Sequence, residues 1–452
     1  MKFIDLFAGL GGFHIGLQKL GHECVFSSEI NTNIREIYAK NFPSTKKICG
    51  DITKVNIKDI GKHDILTAGF PCQPFSRAGL RKGFEDENKG NLFFEIMKIV
   101  NKYNPEYIIL ENVETLLKHG GNVRKNTLKN SINIEGDTFR TIRKLLEKNK
   151  YDRGRYEIAC NILSPHEFGI PQHRRRLFIV ARLKSKGGLK DFKWPEKKDL
   201  KKTSIHNGFF KICTKISDEE MNFIKLNNEE QKIYDTWFDF VKFFPKNKNL
   251  PSFPIWAHEW GATYSFKETT PYNTPLIKLQ NQRGIFGKKI IGSNKEQMIE
   301  KFIPRYSNKK VNEFPKWKIR FIELNRNFYS ENKKYLDEFK SKIYDFEFSY
   351  QKFEWSCKGE EHTLQNKIIQ FRQSGLRVSR DRWFPALTTI STQRPYMPFV
   401  NRKMTVNELS QLQSLNNLKY KPEFNNGAKS AYGNAVNSEI VKLVAKNLIK
   451  NE

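Results

Sequence analysis

A doubly wound α/β domain carrying an inserted second domain is the architecture this sequence predicts. Residues 1–183 alternate strand-like and helix-like segments, the rhythm of a parallel sheet with crossover helices. Residues 185–365 lose that rhythm and bring frequent lysines, aromatics and prolines. Residues 366–452 regain helical patterning and so read as a return segment completing the first domain. The expected division is therefore 1–184, 185–365 and 366–452. The chain has 452 residues, 38% of them hydrophobic, enough for two or more ordinary domains.

The elements follow in order. Lys2-Phe3-Ile4-Asp5-Leu6 reads as a strand that runs into a glycine-rich turn, and Phe13 to Leu20 as a helix. Cys24–Ser27 is a second strand, and Ile34, Ile37 and Tyr38 share one face of the next helix. A short strand, Lys47–Cys49, ends at Asp51, and Asp64–Ala68 is an apolar strand. Leu92, Phe93, Ile96, Ile99 and Val100 make a helical face; Tyr107–Leu110 is a central strand. Phe139, Ile142, Leu145 and Leu146 mark another helix, and Tyr156–Ala159 and Leu177–Val180 two more strands. Lys118–Asp137 has no period and reads as a loop insertion. Residues 185–365 are expected to be irregular or β-rich, with short strands near Phe253–Trp256 and Trp260–Tyr264. Thr405 and Glu408 form a capping-box pair ahead of Leu409 and Leu412, and Val436, Ile440, Leu443, Val444 and Leu448 form a last amphipathic helix.

Composition narrows the class. The net charge of +30 is the electrostatic footprint of a nucleic-acid binder, although coding bias toward A/T-rich codons would also enrich lysine. The six cysteines are scattered without CxxC spacing, which disfavours a structural zinc site or a redox motif, and no metal is expected. No apolar run is long enough to span a membrane, and the start of the chain has no secretory pattern. A soluble, cytoplasmic protein is the expectation.

The most informative segment is Gly69-Phe70-Pro71-Cys72-Gln73-Pro74-Phe75-Ser76. Two prolines fix their own φ and push the preceding residues toward extended conformations, so Cys72 sits on a stiff loop past a strand end. Open α/β sheets place ligands there. A buried structural thiol is the alternative. The loop Asp5-Leu6-Phe7-Ala8-Gly9-Leu10-Gly11-Gly12 lets backbone approach a ligand, Glu29 ends the second strand where a carboxylate accepts from ribose hydroxyls, and Asp51 ends the third. The dinucleotide fingerprint is incomplete, because His14 stands at its third glycine position. S-adenosylmethionine, which has no pyrophosphate, would not need the full fingerprint; a nicotinamide cofactor would. Glu111-Asn112-Val113 follows the central strand, so its carboxylate is either a buried site group needing a partner or a helix N-terminal charge. Gln172, Arg174 and Arg176 alternate with period two and point to one side; a solvated basic run is the alternative.

Together these motifs resemble the DNA (cytosine-5)-methyltransferases, of the prokaryotic restriction-modification type. The glycine-rich start, Pro71-Cys72-Gln73-Pro74, Glu111-Asn112-Val113 and Gln172-His173-Arg174-Arg175-Arg176 occur in the family's order. So do Arg377-Val378-Ser379 through Pro385-Ala386-Leu387-Thr388-Thr389, and Tyr432-Gly433-Asn434-Ala435-Val436, where Ala435 replaces a common serine. The resemblance implies a Rossmann-like, S-adenosylmethionine-dependent methyltransferase domain with a target-recognition domain over 185–365. It implies transfer of a methyl group to C5 of a flipped-out cytosine in double-stranded DNA. Cys72 would be the nucleophile at C6, Glu111 the proton donor at N3, and Arg174 and Arg176 would orient the base, with Arg176 the more direct. Phe7, Gly9, Gly11, Glu29, Asp51, Pro71, Leu92 and Asn434 would line the S-adenosyl-L-methionine site. Arg77–Asn91 resembles a mobile loop that closes on DNA, or is a plain surface loop. A monomer in the bacterial cytoplasm, bound to the nucleoid and matched functionally to a cognate restriction endonuclease, is the implied setting. The rivals are an NAD-dependent oxidoreductase, which leaves Cys72 and Glu111 unexplained, a catalytically silent DNA-binding protein, and an RNA cytosine methyltransferase.

Overall fold

The computed structural model describes residues 1–71, 92–120, 123–125, 128–129, 131–132, 134–148, 155–199, 205–206, 210–387 and 394–449. Cys72 and the 77–91 loop lie outside the described residues. The chain forms two compact units, one of Met1–Glu220, Arg382–Thr392 and Thr405–Glu452, the other of Met221–Asp381 and Gln393–Met404. The junctions thus fall later than 184/185 and 365/366. Residues 211 and 213 stay with the first unit because their backbone N–H groups donate to Gln411 and Glu408 at 2.7 and 2.9 Å.

The first unit is built on β1 (Lys2–Leu6), β2 (Glu23–Ser28), β3 (Ile48–Cys49), β4 (Ile65–Ala68), β5 (Tyr107–Val113), β6 (Tyr156–Leu163), β7 (Gln172–His173) and β8 (Arg176–Leu183). All but β7 form one sheet in the order β3-β2-β1-β4-β5-β8-β6. β1 to β5 pair in parallel, as the strand–helix rhythm requires. β8 runs antiparallel to both β5 and β6, a departure from the all-parallel expectation. Its connection from β6 is a 3₁₀ turn and a short bridge strand, with no crossover helix to restore the direction.

Period two sends neighbouring strand residues to opposite faces. Ile4 and Ile108 join Phe93, Ile96 and Phe139 on one side; Phe3 and Ile109 join Phe13, Leu17, Val441 and Val444 on the other. The last helix, Ser438–Leu448, is capped by Asn437, whose Oδ1 accepts from Ile440 N at 3.1 Å. It buries Ile440, Val441, Val444 and Leu448, each stabilising by roughly 1.5–3 kcal/mol. Gly16 permits its close approach: a Cβ there would lie 2.6 Å from Val441 Cγ1.

The second unit holds a six-stranded sheet of short strands, β9 (Ile255–Trp256), β10 (Lys352–Ser356), β11 (Ile368–Arg372), β12 (Gly375–Ser379), β14 (Tyr396–Met397) and β15 (Arg402–Lys403); β13 (Phe384–Pro385) pairs with β7 in the first unit. It is also strongly helical, contrary to the irregular or β-rich expectation. Helix Asn228–Phe243 and the 29-residue helix Lys316–Tyr344 enclose a core of Trp237, Phe240, Trp260, Leu336 and Phe353. The long helix escapes notice because its buried stripe is sparse. Ile322, Tyr329, Leu336 and Ile343 recur every seventh residue, but Asn325 and Asn332 share the stripe. Asn325 is buried there because its Oδ1 accepts from Trp256 N at 2.7 Å and its Nδ2 donates to Pro254 O at 3.1 Å. Among the described residues no helix is long and apolar enough to cross a membrane.

Candidate active site

Strand order reverses between β1 and β4, and the crevice outside their carboxyl ends is where an open α/β sheet binds ligands. The Phe7–Gly12 turn leaves β1 there, and Gly69-Phe70-Pro71 leaves β4 there, leading to Cys72. The turn needs left-handed backbone: φ is 56° at Phe7, 53° at Gly9 and 83° at Gly11. Gly11 also packs so tightly on Phe42 that a Cβ would lie 2.7 Å from its Cζ. Below it His14, at the position of the missing third glycine, stacks on Phe42 with centroids 4.0 Å apart and meets the Tyr38 hydroxyl through Nδ1 at 2.7 Å. Burial holds the His14 imidazole down to a pKa of about 4.

A cavity of about 640 Å³ opens on this edge, lined by Gly9, Glu29 and Asn434 among others. Glu29 Oε2 accepts from Gly9 N at 2.9 Å and Oε1 from Asn31 N at 2.8 Å, so the carboxylate stitches β2's end to the glycine turn. A carboxylate oxygen keeps a second lone pair for a ligand. The opposite wall comes from helix Phe424–Asn434, through Phe424, Ser430 and Asn434. Phe7, Gly11, Asp51, Pro71 and Leu92 do not line this cavity. Phe7 and Leu92 are half-buried against the side of the sheet that holds Ile4, Phe93 and Ile96, and Gly11 packs on Phe42. Asp51 caps a 3₁₀ turn through Oδ1, accepting from Thr53 N at 3.0 Å and Thr53 Oγ1 at 2.8 Å, and these bonds hold its carboxyl below the usual range. Ile34, Ile37 and Tyr420 also line the cavity, and none of them was singled out as a site residue from the sequence.

Glu111, Arg174 and Arg176 come together on the next strands. Glu111 is a buried strand residue of β5, not a helix N-terminal charge. Its Oε1 lies 3.2 Å from Arg176 Nε, and a Cβ on Gly69 would lie 4.0 Å from its Oε2. Burial pushes its carboxyl up, and Arg176 and then Arg174 pull it partly back. The alternation of 172–176 is structural: Gln172 and Arg174 are buried and Arg176 half-buried, while His173 and Arg175 are exposed. Arg174 donates from Nη2 to Ala435 O at 3.1 Å, and its backbone N to the buried Ser164 Oγ at 2.9 Å. Burial, then the charge of Arg176, bring its pKa down to about 9 despite Glu111. Asn112 is a further residue the sequence reading did not single out. Its Nδ2 donates to Phe70 O at 2.8 Å, fixing the strand end that leads to Cys72.

This arrangement can hold a nucleoside at one end and a planar polar ring between a buried carboxyl and guanidinium groups at the other. The chain is 43% identical over 181 residues to the type II methyltransferase M.DsaV of Dactylococcopsis salina, covering 40% of this chain and 45% of that protein. It is 38% identical over 200 residues to M.HhaI of Haemophilus parahaemolyticus, covering 44% and 54%. The chain spans about half the length of the curated relatives it matches. The solved structure of the S. pombe Dnmt2 methyltransferase aligns over 99% of this chain and 97% of its own at 15% identity, with a TM-score of 0.40. The family model for C-5 cytosine-specific DNA methylase matches residues 1–450, and the chain belongs to that family.

Proposed function

We propose that this protein transfers a methyl group to C5 of a cytosine flipped out of duplex DNA, with S-adenosylmethionine as donor. The observation that carries the reading is the buried Glu111 carboxyl, 3.2 Å from Arg176, beside the strand end that leads to Cys72. The 640 Å³ cavity is of ligand size and its lining suits the cofactor: Glu29 for ribose hydroxyls, Gly9 for close backbone approach, and Ile34 and Phe424 for an apolar ring face. When bound there, the cofactor supplies the methyl group.

The chain's own residues prepare the base. C5 of cytosine is a poor nucleophile, and addition of the Cys72 thiolate to C6 raises the electron density at C5. Glu111, held toward its protonated form by burial, gives a proton to N3 as the thiolate adds. Arg176 holds the ring and the Glu111 carboxylate that remains. The N3 proton then returns to the Glu111 carboxylate, and transfer of the C5 proton to a solvent base with β-elimination releases Cys72. The target atom is unreachable inside the duplex, hence the flipped base. The second unit, with most of 185–365, reads the sequence around it. The protein acts as a monomer in a bacterial cytoplasm and protects DNA from a matching endonuclease.

The test uses duplexes with 5-fluorocytosine at the target. Fluorine cannot leave as the C5 proton does, so wild type should become covalently attached to DNA. Cys72→Ser should bind DNA without attachment or turnover. Wild-type turnover in the serine variant would refute the nucleophile assignment.

A further inference from the structure

The second unit carries one surface with the side chains of a base reader. Residues 276–291 contain Lys278, Arg283, Lys288 and Lys289 and no acidic residue. Lys278, Arg283 and Lys289 are exposed and make no ion pair among the described residues. Two other cations of the same unit are paired, Lys267 with Glu323 at 2.6 Å and Lys310 with Glu296 at 3.0 Å. The same edge exposes two large aliphatic side chains, Ile277 at 75% and Ile291 at 65%. Gln280 Nε2 donates to Gly292 O at 2.8 Å, which ties helix Leu276–Gln280 to the segment bearing Ile291. Asn281 is exposed, and its side chain makes no hydrogen bond among the described residues.

This edge is held rigidly from beneath. Arg283 and Lys289 form an antiparallel bridge, and Gly284 N donates to Lys288 O at 2.8 Å. Arg283 N donates to Thr263 Oγ1 at 2.8 Å, and Arg283 O accepts from Thr263 N at 2.9 Å and Tyr264 N at 3.2 Å. Tyr264 is anchored in turn: its hydroxyl bonds to the fully buried Glu259, which also accepts from Tyr306 Oη at 2.7 Å and Arg326 Nε at 3.0 Å. An unbroken path of bonds therefore joins the long helix Lys316–Tyr344 to Arg283. A solvated basic loop needs neither that anchor nor exposed isoleucines. A surface that reads bases needs both, since preorganisation cuts the ordering cost of binding and an apolar group can meet a thymine methyl.

We propose that the edge formed by Ile277, Asn281, Arg283, Lys289 and Ile291 enters the major groove of duplex DNA and reads base pairs beside the target cytosine. This rests on the methyltransferase reading above and adds the residues that set its specificity. Arg283 Nη1 donates to Gly287 O at 3.1 Å, which leaves its Nε and Nη2 as the fork that matches guanine; Asn281 presents the amide that matches adenine, and the isoleucines the apolar contact. Lys289 meets phosphate, which positions without specifying.

The test is bisulfite sequencing of genomic DNA from cells expressing wild type, Arg283→Ala, Arg283→Lys, Asn281→Ala or Lys289→Ala, with salt-dependent binding of purified full-length proteins to duplexes. Arg283→Ala should relax one base pair of the methylated motif by roughly 10–100-fold, and Asn281→Ala a different one. Arg283→Lys keeps the charge and loses the fork, so it should relax the same base pair even if the alanine variant folds poorly. Lys289→Ala should keep the motif, weaken binding to every duplex and lower the salt slope by about one ion. Active Arg283→Lys and Asn281→Ala variants with the wild-type motif at wild-type sharpness would overturn the proposal. So would loss of binding to a structured RNA with the DNA motif unchanged. A wild type that methylates no cytosine in DNA would instead remove the methyltransferase reading, and this proposal with it.

Discussion

Three glycine-to-alanine changes separate what the glycine turn does for the fold from what it would do for the proposed cofactor binding. Gly11, at φ 83°, would place a Cβ 2.7 Å from Phe42 Cζ, about 1 Å inside ordinary contact. Phe42 cannot retreat, because it is buried and stacked on His14, which the Tyr38 hydroxyl holds at 2.7 Å. Left-handed backbone costs an L-residue about 1–2 kcal/mol. Overpacking adds about 1–3 kcal/mol. Gly11→Ala should therefore cost about 2–5 kcal/mol, which lowers the calorimetric melt of the first unit by roughly 4–15 °C. Gly21, at φ 81° with no atom within 4 Å of its Cβ position, isolates the backbone cost at about 1–2 kcal/mol. Gly9, at φ 53°, also has an open Cβ position, but it lines the cavity. Gly9→Ala should match Gly21→Ala in stability and weaken S-adenosylmethionine binding by roughly 5–150-fold in titration calorimetry, the equivalent of about 1–3 kcal/mol of crowding. Equal melts for Gly11→Ala and Gly21→Ala would refute the Phe42 clash. A Gly9→Ala protein that binds the cofactor normally would remove Gly9 from the site.

Three further outcomes are expected. Glu111→Gln should lower single-turnover methylation by roughly 10²–10⁴-fold with cofactor affinity unchanged. Because burial raises the Glu111 carboxyl in the folded state, its ionisation opposes folding; the urea stability of the glutamine variant relative to wild type should improve as pH rises above the ordinary glutamate value of about 4.3 and then level off, and a difference independent of pH would contradict the shift. Glu29→Ala removes the acceptor for Gly9 N and Asn31 N, so cofactor binding should weaken while covalent trapping by 5-fluorocytosine at saturating cofactor survives; loss of trapping at saturation would reassign it. Arg174→Met removes a cation that pulls the Glu111 carboxyl down, so the alkaline limb of the rate–pH profile, where the acid is lost, should move to higher pH, and an unmoved limb would uncouple the two residues.

Much of the first unit was written in its local patterns. Each strand of the sheet carries its own apolar run, so period and punctuation placed the glycine turn, Glu29 and the approach to Cys72 at strand ends on one edge, while β5 runs on through Glu111 to Val113. The alternation of Gln172, Arg174 and Arg176 likewise fixed which of them face inward, because side-chain direction in an extended segment is a local property. What the residues do to one another was not local. Asn112 reaches the Phe70 carbonyl across two strands, and Arg174 reaches the Ala435 carbonyl across most of the chain, contacts set by sheet order and helix packing. The reversed direction of β8 depended on the absence of a crossover helix, which pattern alone did not reveal. In the second unit a long helix hid behind a sparse stripe interrupted by Asn325 and Asn332, whose burial makes sense only once Trp256 and Lys248 are seen to satisfy them. Lysines there look alike in the sequence; only the tertiary structure distinguished those neutralised by carboxylates from the cations exposed around Arg283, because pairing depends on which segments fold side by side.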